Sequence, residues 1–307
     1  MSDQRFSVFA PGKTILFGEH FVVRGGQALA VPVSELGTTG KVSPAAELSF
    51  CCAADVAFVK RAFFTVCEAI GMAPPAIELD LETTLPIGAG LGSSASLAVA
   101  LAEIALRLAE RRPSEEEINQ LAYRLEQLAH GAPSGVDNTV IAYRQPIVFK
   151  SRKEIRSLNL SAPLQLLIAD TGVQASTAAV VAGVAQRATA NSAWFADLLG
   201  QADALVDQAA LALENAELER LGRLLNANHR LLVELGVSSS ELDRLVEAAL
   251  AAGAKGAKMT GAGAGGCMIA LVDSEAGRSV GAALKAAGAV RLWSTQVDAV
   301  DPRGAQR

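Results

Sequence analysis

The residues of this 307-residue chain whose types and spacing could do chemistry fall in five places. Lys13 follows Pro11-Gly12. Glu19-His20 interrupts an apolar run. Gly88, Gly90 and Gly92 lead into Ser93 and Ser94. Glu126 lies late in an amphipathic stretch, and Asp137 leaves the turn-rich segment His130-Gly131-Ala132-Pro133-Ser134-Gly135. Alternating glycines admit a ligand close to the backbone because no Cβ intervenes. The first turn of a helix carries unpaired N–H groups and a partial positive charge, so a glycine loop that feeds a helix is an anion site. A serine, a carboxylate, a lysine and an aspartate around such a loop suit phosphoryl transfer from a nucleotide. That reaction needs cationic and backbone donors on the phosphates, oxygen ligands for Mg²⁺, and a group that orients or deprotonates the acceptor hydroxyl.

The familiar phosphate motifs do not fit. A dinucleotide fingerprint needs G-x-G-x-x-G, but the third glycine stands at 92 and Ser93 occupies the required place. A P-loop that ends in Gly12-Lys13-Thr14 would need a glycine where Ser7 stands. His229-Arg230-Leu231 is not a protein-kinase catalytic loop. Taken singly, Glu126 reads as a solvated carboxylate and Asp137 as an Asx turn. Glu19-His20 reads either as a hydrogen-bonded turn or as a functional break in a strand.

The elements that must hold these groups are legible in outline. Residues 5–10 alternate as a strand that ends at Pro11-Gly12, and a second apolar strand starts at Lys13. Further strands are expected over Ala28–Val33, Ala46–Cys52, Ile77–Thr83, Leu164–Ala169 and Met268–Val272. Ala95–Leu108 predicts a nearly all-apolar helix, with Ser93 or Ser94 near its N-cap. Val56, Val59, Phe63, Val66 and Ile70 share one helical face, and Ser114 with Glu117 fits a capping box. Residues 176–214 read as one Ala-rich helical segment without a site-like residue. Leu218–Leu235 and Ser240–Leu250 read as amphipathic helices.

Half of the residues are hydrophobic and 19% are charged, enough apolar surface for a large core. A net charge of −5 argues against nucleic acid or an anionic membrane as partner. The opening MSDQRFSVFAPGK has no apolar h-region, and the run 95–109 is too short and carries Glu103 and Arg107. A soluble, cytoplasmic protein is therefore expected. Cys51, Cys52, Cys67 and Cys267 form no C-x-x-C pair and are expected to be buried free thiols.

Three motifs in order carry a resemblance over nearly the whole chain: Pro11-Gly12-Lys13, Pro86-x-Gly-x-Gly-Leu-Gly-Ser-Ser-Ala95, and Lys258-x-Thr-Gly-x-Gly-x-Gly-Gly-Cys267. The sequence resembles the superfamily of small-molecule kinases that includes galactokinase, homoserine kinase, mevalonate kinase and phosphomevalonate kinase. Within it, Lys13–Val23 and His130–Asn138 are similar to the signatures of the mevalonate kinase family. His20 stands where phosphomevalonate kinases usually have tyrosine. Arg24, where tyrosine is usual, and Ala264, which interrupts the glycine run, depart from the pattern.

The resemblance implies an α+β, two-domain small-molecule kinase fold. A ribosomal-protein-like N-terminal domain would span residues 1–160 and a ferredoxin-like C-terminal domain residues 161–307. The implied reaction is ATP-dependent phosphorylation of the C5 hydroxyl of mevalonate. The alternatives are a sister kinase acting on phosphomevalonate or a sugar, and a catalytically silent ligand-binding homologue. Asp137 would be base or orienter, paired with Lys13. Pro86, Gly88, Ala89, Gly90, Leu91, Gly92, Ser93, Ser94 and Ala95 would hold ATP, and Ser94 and Glu126 would hold Mg²⁺. Lys13, Glu19, His20, Asp137, Thr171, Gly261 and Gly263 would line the mevalonate pocket, with Gly265 in the same loop. A homodimer would fit the same resemblance.

Overall fold

Strand β1 (Phe6–Phe17) runs straight through Pro11-Gly12, where the sequence pointed to a strand end. Among the described residues β1 pairs only with β2 (Ala28–Pro44), so the N–H that Pro11 lacks can face the side without a partner. The computed structural model describes residues 5–86 and 88–298. Residues 1–4 of the stretch read for targeting, Ile87, and residues 299–307 lie outside the described residues. A short 3₁₀ turn at Val22–Arg24 follows β1, replacing the strand continuation expected there.

The chain divides into two compact units that interleave along the sequence, rather than at a single cut near 160. Among the described residues the first takes 5–13, 34–86 and 92–144, and the second takes 14–33, 88–91 and 145–298. In the first unit, β3 (Ser49–Cys52) lies parallel to β4 (Ile77–Thr83), joined through helix α1 (Val56–Ile70). β4 runs antiparallel to the second half of β2, with Thr38 opposite Thr83 and Pro44 opposite Ile77. Asp55 caps α1 by accepting from Ala57 N. Val59, Phe63 and Val66 are buried as expected, but Val56 is exposed at the helix start. Only Cys67 and Cys267 are the buried thiols expected. Cys51 is exposed and Cys52 half-buried, because β3 has a single neighbour.

Helix α2 (Ser93–Leu108) is nearly all apolar because the fold buries it on most sides, from Ala95 to Leu106. Its one buried hydroxyl, Ser96, donates to Ala10 O at 2.8 Å and accepts from Thr38 N at 3.1 Å. Helix α3 (Glu115–His130) starts at Ser114, whose Oγ accepts from Glu117 N. The other half of the expected capping box is absent, since Glu117 pairs with Arg111. A short helix the periodicity did not reveal, α4 (Val136–Tyr143), carries Asp137 in its first turn.

The second unit holds the first half of β2 against β5 (Ile147–Ser151), which turns into β6 (Glu154–Ser157). The polar run Lys150-Ser151-Arg152-Lys153-Glu154 forms the turn of that hairpin. The remaining elements are β7 (Leu164–Asp170), α5 (Thr177–Ala190), α6 (Ser192–Glu214), α7 (Leu218–Glu234), α8 (Ser240–Ala251), β8 (Gly256–Met259), β9 (Cys267–Val272), α9 (Ala276–Ala286) and β10 (Arg291–Val297). Their sheet has the order β10-β7-β9-β8, antiparallel throughout. In chain order that is 4-1-3-2, the arrangement of a ferredoxin-like sheet. Asn191 splits the segment 176–214 into two helices by accepting from Trp194 N as the cap of α6. Among the described residues no helix is long and apolar enough to cross a membrane.

Candidate active-site groups

In the first unit, β1 delivers Lys13 and α4 delivers Asp137, and the two meet as an ion pair at 3.0 Å. Lys13 is 3% exposed, while the Asp137 side chain keeps about a third of its surface open. The aspartate therefore makes no Asx turn. Its second oxygen is left for another group.

Gly92 makes this approach possible. It has φ +79°, and a Cβ there would lie 2.8 Å from Lys13 Cγ. Gly92 is also the N-cap of α2, in place of the serine expected, and no side chain caps the helix. The first-turn N–H groups of Ser93, Ser94 and Ala95 are therefore left without a side-chain cap.

Ser94 Oγ donates to Glu126 Oε1 at 2.6 Å and lies 3.2 Å from His130 Nε2. Glu126 is 5% exposed, so it is not the solvated carboxylate that a surface helix would give. Burial above all pushes its pKa up. The Ser94 bond opposes that, the negative Asp137 adds to it, and His130 and Lys13 oppose it. Its one ion pair within 4 Å, among the described residues, is His130 at 3.9 Å. A buried carboxylate so poorly compensated, beside a hydroxyl, fits a hard divalent cation. Among the described residues no three His, Cys, Asp or Glu cluster as a metal cage. Such a cation would then complete its shell with phosphate and water oxygens, the usual habit of Mg²⁺.

In the second unit, Glu19 and His20 form a turn that is fixed from several sides. Phe21 stacks on Phe195 of α6 at 5.8 Å, Arg24 lies over the same ring at 5.7 Å, and Gln27 N donates to Asp203 at 2.7 Å. The segment read as having no site-like residue thus holds this turn. Glu19 was expected at the substrate. Instead it is 2% exposed, with one oxygen paired to Lys258 and the other accepting from Asn228 Nδ2 at 3.4 Å. Lys258 is fully buried and also donates to the carbonyls of Ile15 and Met259.

His20 sits at φ +66° and its Nε2 is 2.8 Å from Ala262 O. That carbonyl can only accept, so Nε2 carries the proton. Burial chiefly pushes the pKa of His20 down, the Ala262 bond and Glu19 oppose it, and Arg187 and Lys258 add to it.

The glycine loops of the second unit meet backbone to backbone. A Cβ on Gly90 would lie 3.1 Å from Gly261 Cα, and one on Gly261 would lie 3.0 Å from Gly90 Cα. They line a cavity with Gly88, Thr177, Thr260 and Gly263. Its polar groups are backbone and hydroxyl donors, suited to phosphate oxygens. Ala264 takes φ +54° there and its N–H donates to Val237 O at 2.7 Å. Thr171 is not a free hydroxyl: it donates to Gly266 O at 2.9 Å. The structure thus divides the expected nucleotide residues. Gly88, Ala89 and Gly90 go with the 261–266 loop, and Gly92 to Ala95 go with Lys13 and Asp137.

Sequence reading gave no site role to His130, Asn228 or Lys258. Of these Lys258 and His130 had a signal, as the first residues of the third motif and of the His130–Asn138 stretch, and Asn228 had none.

His229 is also held neutral. Met259 N donates to its Nδ1 at 3.4 Å, and burial chiefly lowers its pKa while Asp243 raises it. A histidine with a folded pKa below its ordinary 6.5 binds its proton more readily in the unfolded chain. Its contribution to stability is therefore full above pH 6.5 and is lost as pH falls from 6.5 toward the folded value. The slope is at most about 1.4 kcal/mol per pH unit for each histidine. Urea unfolding at pH 7.5, 6.5 and 5.5 should show this loss. His229→Gln should flatten it, and the comparison of variant with wild type removes the opposing contribution of Glu126.

The chain matches the GHMP kinases N terminal domain family over residues 57–145 and the GHMP kinases C terminal family over residues 209–290. It is 36% identical to the mevalonate kinase of Pyrococcus horikoshii, over 92% of this chain and 93% of that protein. It is also 36% identical to the mevalonate kinase of Aeropyrum pernix, over 85% and 87%. Among solved structures, L. major mevalonate kinase in complex with R-mevalonate superposes with a TM-score of 0.85 at 30% identity, over 96% of each chain.

Proposed function

The chain belongs to the GHMP kinase family, and from that premise we propose that it transfers the γ-phosphoryl group of ATP to the C5 hydroxyl of mevalonate, giving 5-phosphomevalonate. The observation that carries the chemistry is the 3.0 Å pair of Lys13 and Asp137 beside an uncapped helix start. Asp137 has one oxygen on Lys13 and the other free to take, or to orient, the hydroxyl proton of an alcohol. Lys13 is a fixed cation in a nearly dry place, where it stabilises charge more than it would in water. The N–H groups of Ser93 to Ala95 and the backbone of Gly88 to Gly90 bind phosphate oxygens. The mevalonate assignment is supported by the named relatives and by His20 in the Gly18-Glu19-His20 turn.

Ser94 and Glu126 would hold Mg²⁺. When bound, it supplies positive charge to the phosphate oxygens. Glu126→Gln keeps the hydrogen bond to Ser94 and removes the charge. Loss of even an outer partner of a metal ligand typically costs 10–100-fold in metal affinity. Titrating activity with Mg²⁺ should therefore show at least about a tenfold higher requirement in Glu126→Gln. An unchanged Mg²⁺ requirement would remove Glu126 from the cation site.

An ATP donor suits a cytoplasmic reaction. A coupled assay of ADP release with mevalonate, phosphomevalonate, homoserine and galactose tests the whole reading. ADP release that depends on mevalonate is the expected result. Turnover with a different acceptor alone would overturn the substrate while leaving the kinase.

A further inference from the structure

Asn119, on α3, is a buried amide that the proposed chemistry does not touch. It is 6% exposed. Its Oδ1 accepts from Asn138 Nδ2 at 2.6 Å, and its main-chain carbonyl accepts from Asn138 Nδ2 at 3.4 Å. Thr139 Oγ1 lies 3.2 Å from the same Oδ1, but its one proton goes to Gly135 O at 2.6 Å. Asn138 and Thr139 belong to the first turn of α4 and follow Asp137 directly in the chain. They are buried as well, Asn138 at 2% and Thr139 at 0%.

Helix α4 has eight residues and no side-chain cap at its start. Its far end is fastened by Arg144, which donates to Glu103 Oε2 of α2 at 2.6 Å and to Phe9 O of β1 at 2.9 Å. The apolar packing of Val136, Val140, Ile141 and Ala142 encloses α4 but makes no directional bond, so the exact roll of the helix is left to its polar ties. Successive side chains leave an α-helix about 100° apart, so the direction of Asn138 dictates that of Asp137. Tying Asn138 to α3 aims Asp137 at Lys13 on β1.

Stability alone does not account for this amide pair. Replacing both partners of a buried hydrogen bond by apolar groups of similar shape is often nearly neutral. Asn138 Oδ1, moreover, is buried with no partner, a cost an apolar pair would avoid.

We propose that Asn119 is a positioning residue: through Asn138 it sets the roll of α4 and so holds the Asp137 carboxylate against Lys13. This rests on the phosphotransfer reading for its kinetic consequence and on the structure alone for its geometric one.

The full chain carrying Asn119→Leu with Asn138→Leu separates the two roles, since the paired apolar side chains keep the packing. The expected crystal structure of that variant has the Lys13–Asp137 contact broken, with a melting temperature close to that of the wild type. Misplacement of a reacting group by about 1 Å can cost 10²-fold, so kcat should fall by about that factor while KM for ATP changes by less than about threefold. Asn119→Asp keeps both acceptors and should restore kcat to within about tenfold of wild type. If the double variant does not fold, Asn119→Ser gives the same two readouts, because its shorter side chain cannot reach α4 as the amide does. A variant that lacks the Asn119–Asn138 bond yet keeps the Lys13–Asp137 contact overturns the proposal, and so does one that keeps wild-type kcat. Failure of the wild type to phosphorylate mevalonate would overturn the functional reading instead, and the crystallographic distance would still decide the positioning role.

Discussion

Asp137→Asn is expected to lower kcat by about 10²–10⁴-fold, the range for a positioned acid–base group, or about 3–5 kcal/mol of barrier. ATP should bind as before, because the phosphate donors proposed here are backbone groups on the glycine loop and the start of α2. The substitution is nearly isosteric, and its amide oxygen can still accept from Lys13 Nζ, now 3.0 Å from Asp137. The Asp137 side chain is 35% exposed, so water as well as the amide oxygen can reach Lys13 Nζ in the variant. A fall in kcat with unchanged nucleotide affinity is therefore the signature to seek. Single-turnover kinetics with labelled ATP would place the loss in the transfer step. If kcat survives within about tenfold, Asp137 is neither base nor orienter.

The groups proposed to do chemistry are more legible in the sequence than the frame that holds them. Lys13, Ser94 and Asp137 stand out because each lies in a short local pattern: a Pro-Gly-Lys start, a glycine run into a helix, and a Pro-Ser-Gly turn. Glu126 alone reads as a surface carboxylate, and only the ordered motifs raise it to a candidate ligand. Its burial is a tertiary fact, set by the packing of α3 on α2. The α4 helix was hidden because its eight residues are buried on nearly all sides and carry no polar period. Strand β8 was hidden inside a glycine-rich stretch that reads as loop. Pro11 misled because a proline ends a strand only when both of its edges are paired. Asn119 and Asn228 had no signal at all. A buried amide on a helix looks like any polar position until its partners, distant in sequence, are known. The interleaving of the two units has the same origin, since contacts rather than chain order define them.

Lys258→Met is expected to be the most destabilising single change in the second unit. Lys258 is 0% exposed and Glu19 2% exposed, so removing the cation leaves a carboxylate buried without its counter-charge. Breaking one side of a buried pair typically costs about 3–5 kcal/mol. In a chain of this size that is on the order of 10 °C in melting temperature, measurable by calorimetry. The carbonyls of Ile15 and Met259 also lose the donor they share. Glu19→Gln added to Lys258→Met removes the stranded charge, and the doubly changed chain should recover most of the loss, because an apolar or neutral replacement of a whole buried pair is often tolerated. Recovery of function is a separate matter. The pair links the Glu19–His20 turn to β8, from which the 261–266 loop leaves, and His20 Nε2 bonds to Ala262 O in that loop. With the link gone, His20 and the loop lose their common anchor. The double variant should therefore regain its melting temperature and still show a KM for the acceptor raised by about tenfold, the loss of roughly one hydrogen bond of uniform binding. Wild-type KM in the restabilised chain would mean that the ion pair serves only the folding of the second unit.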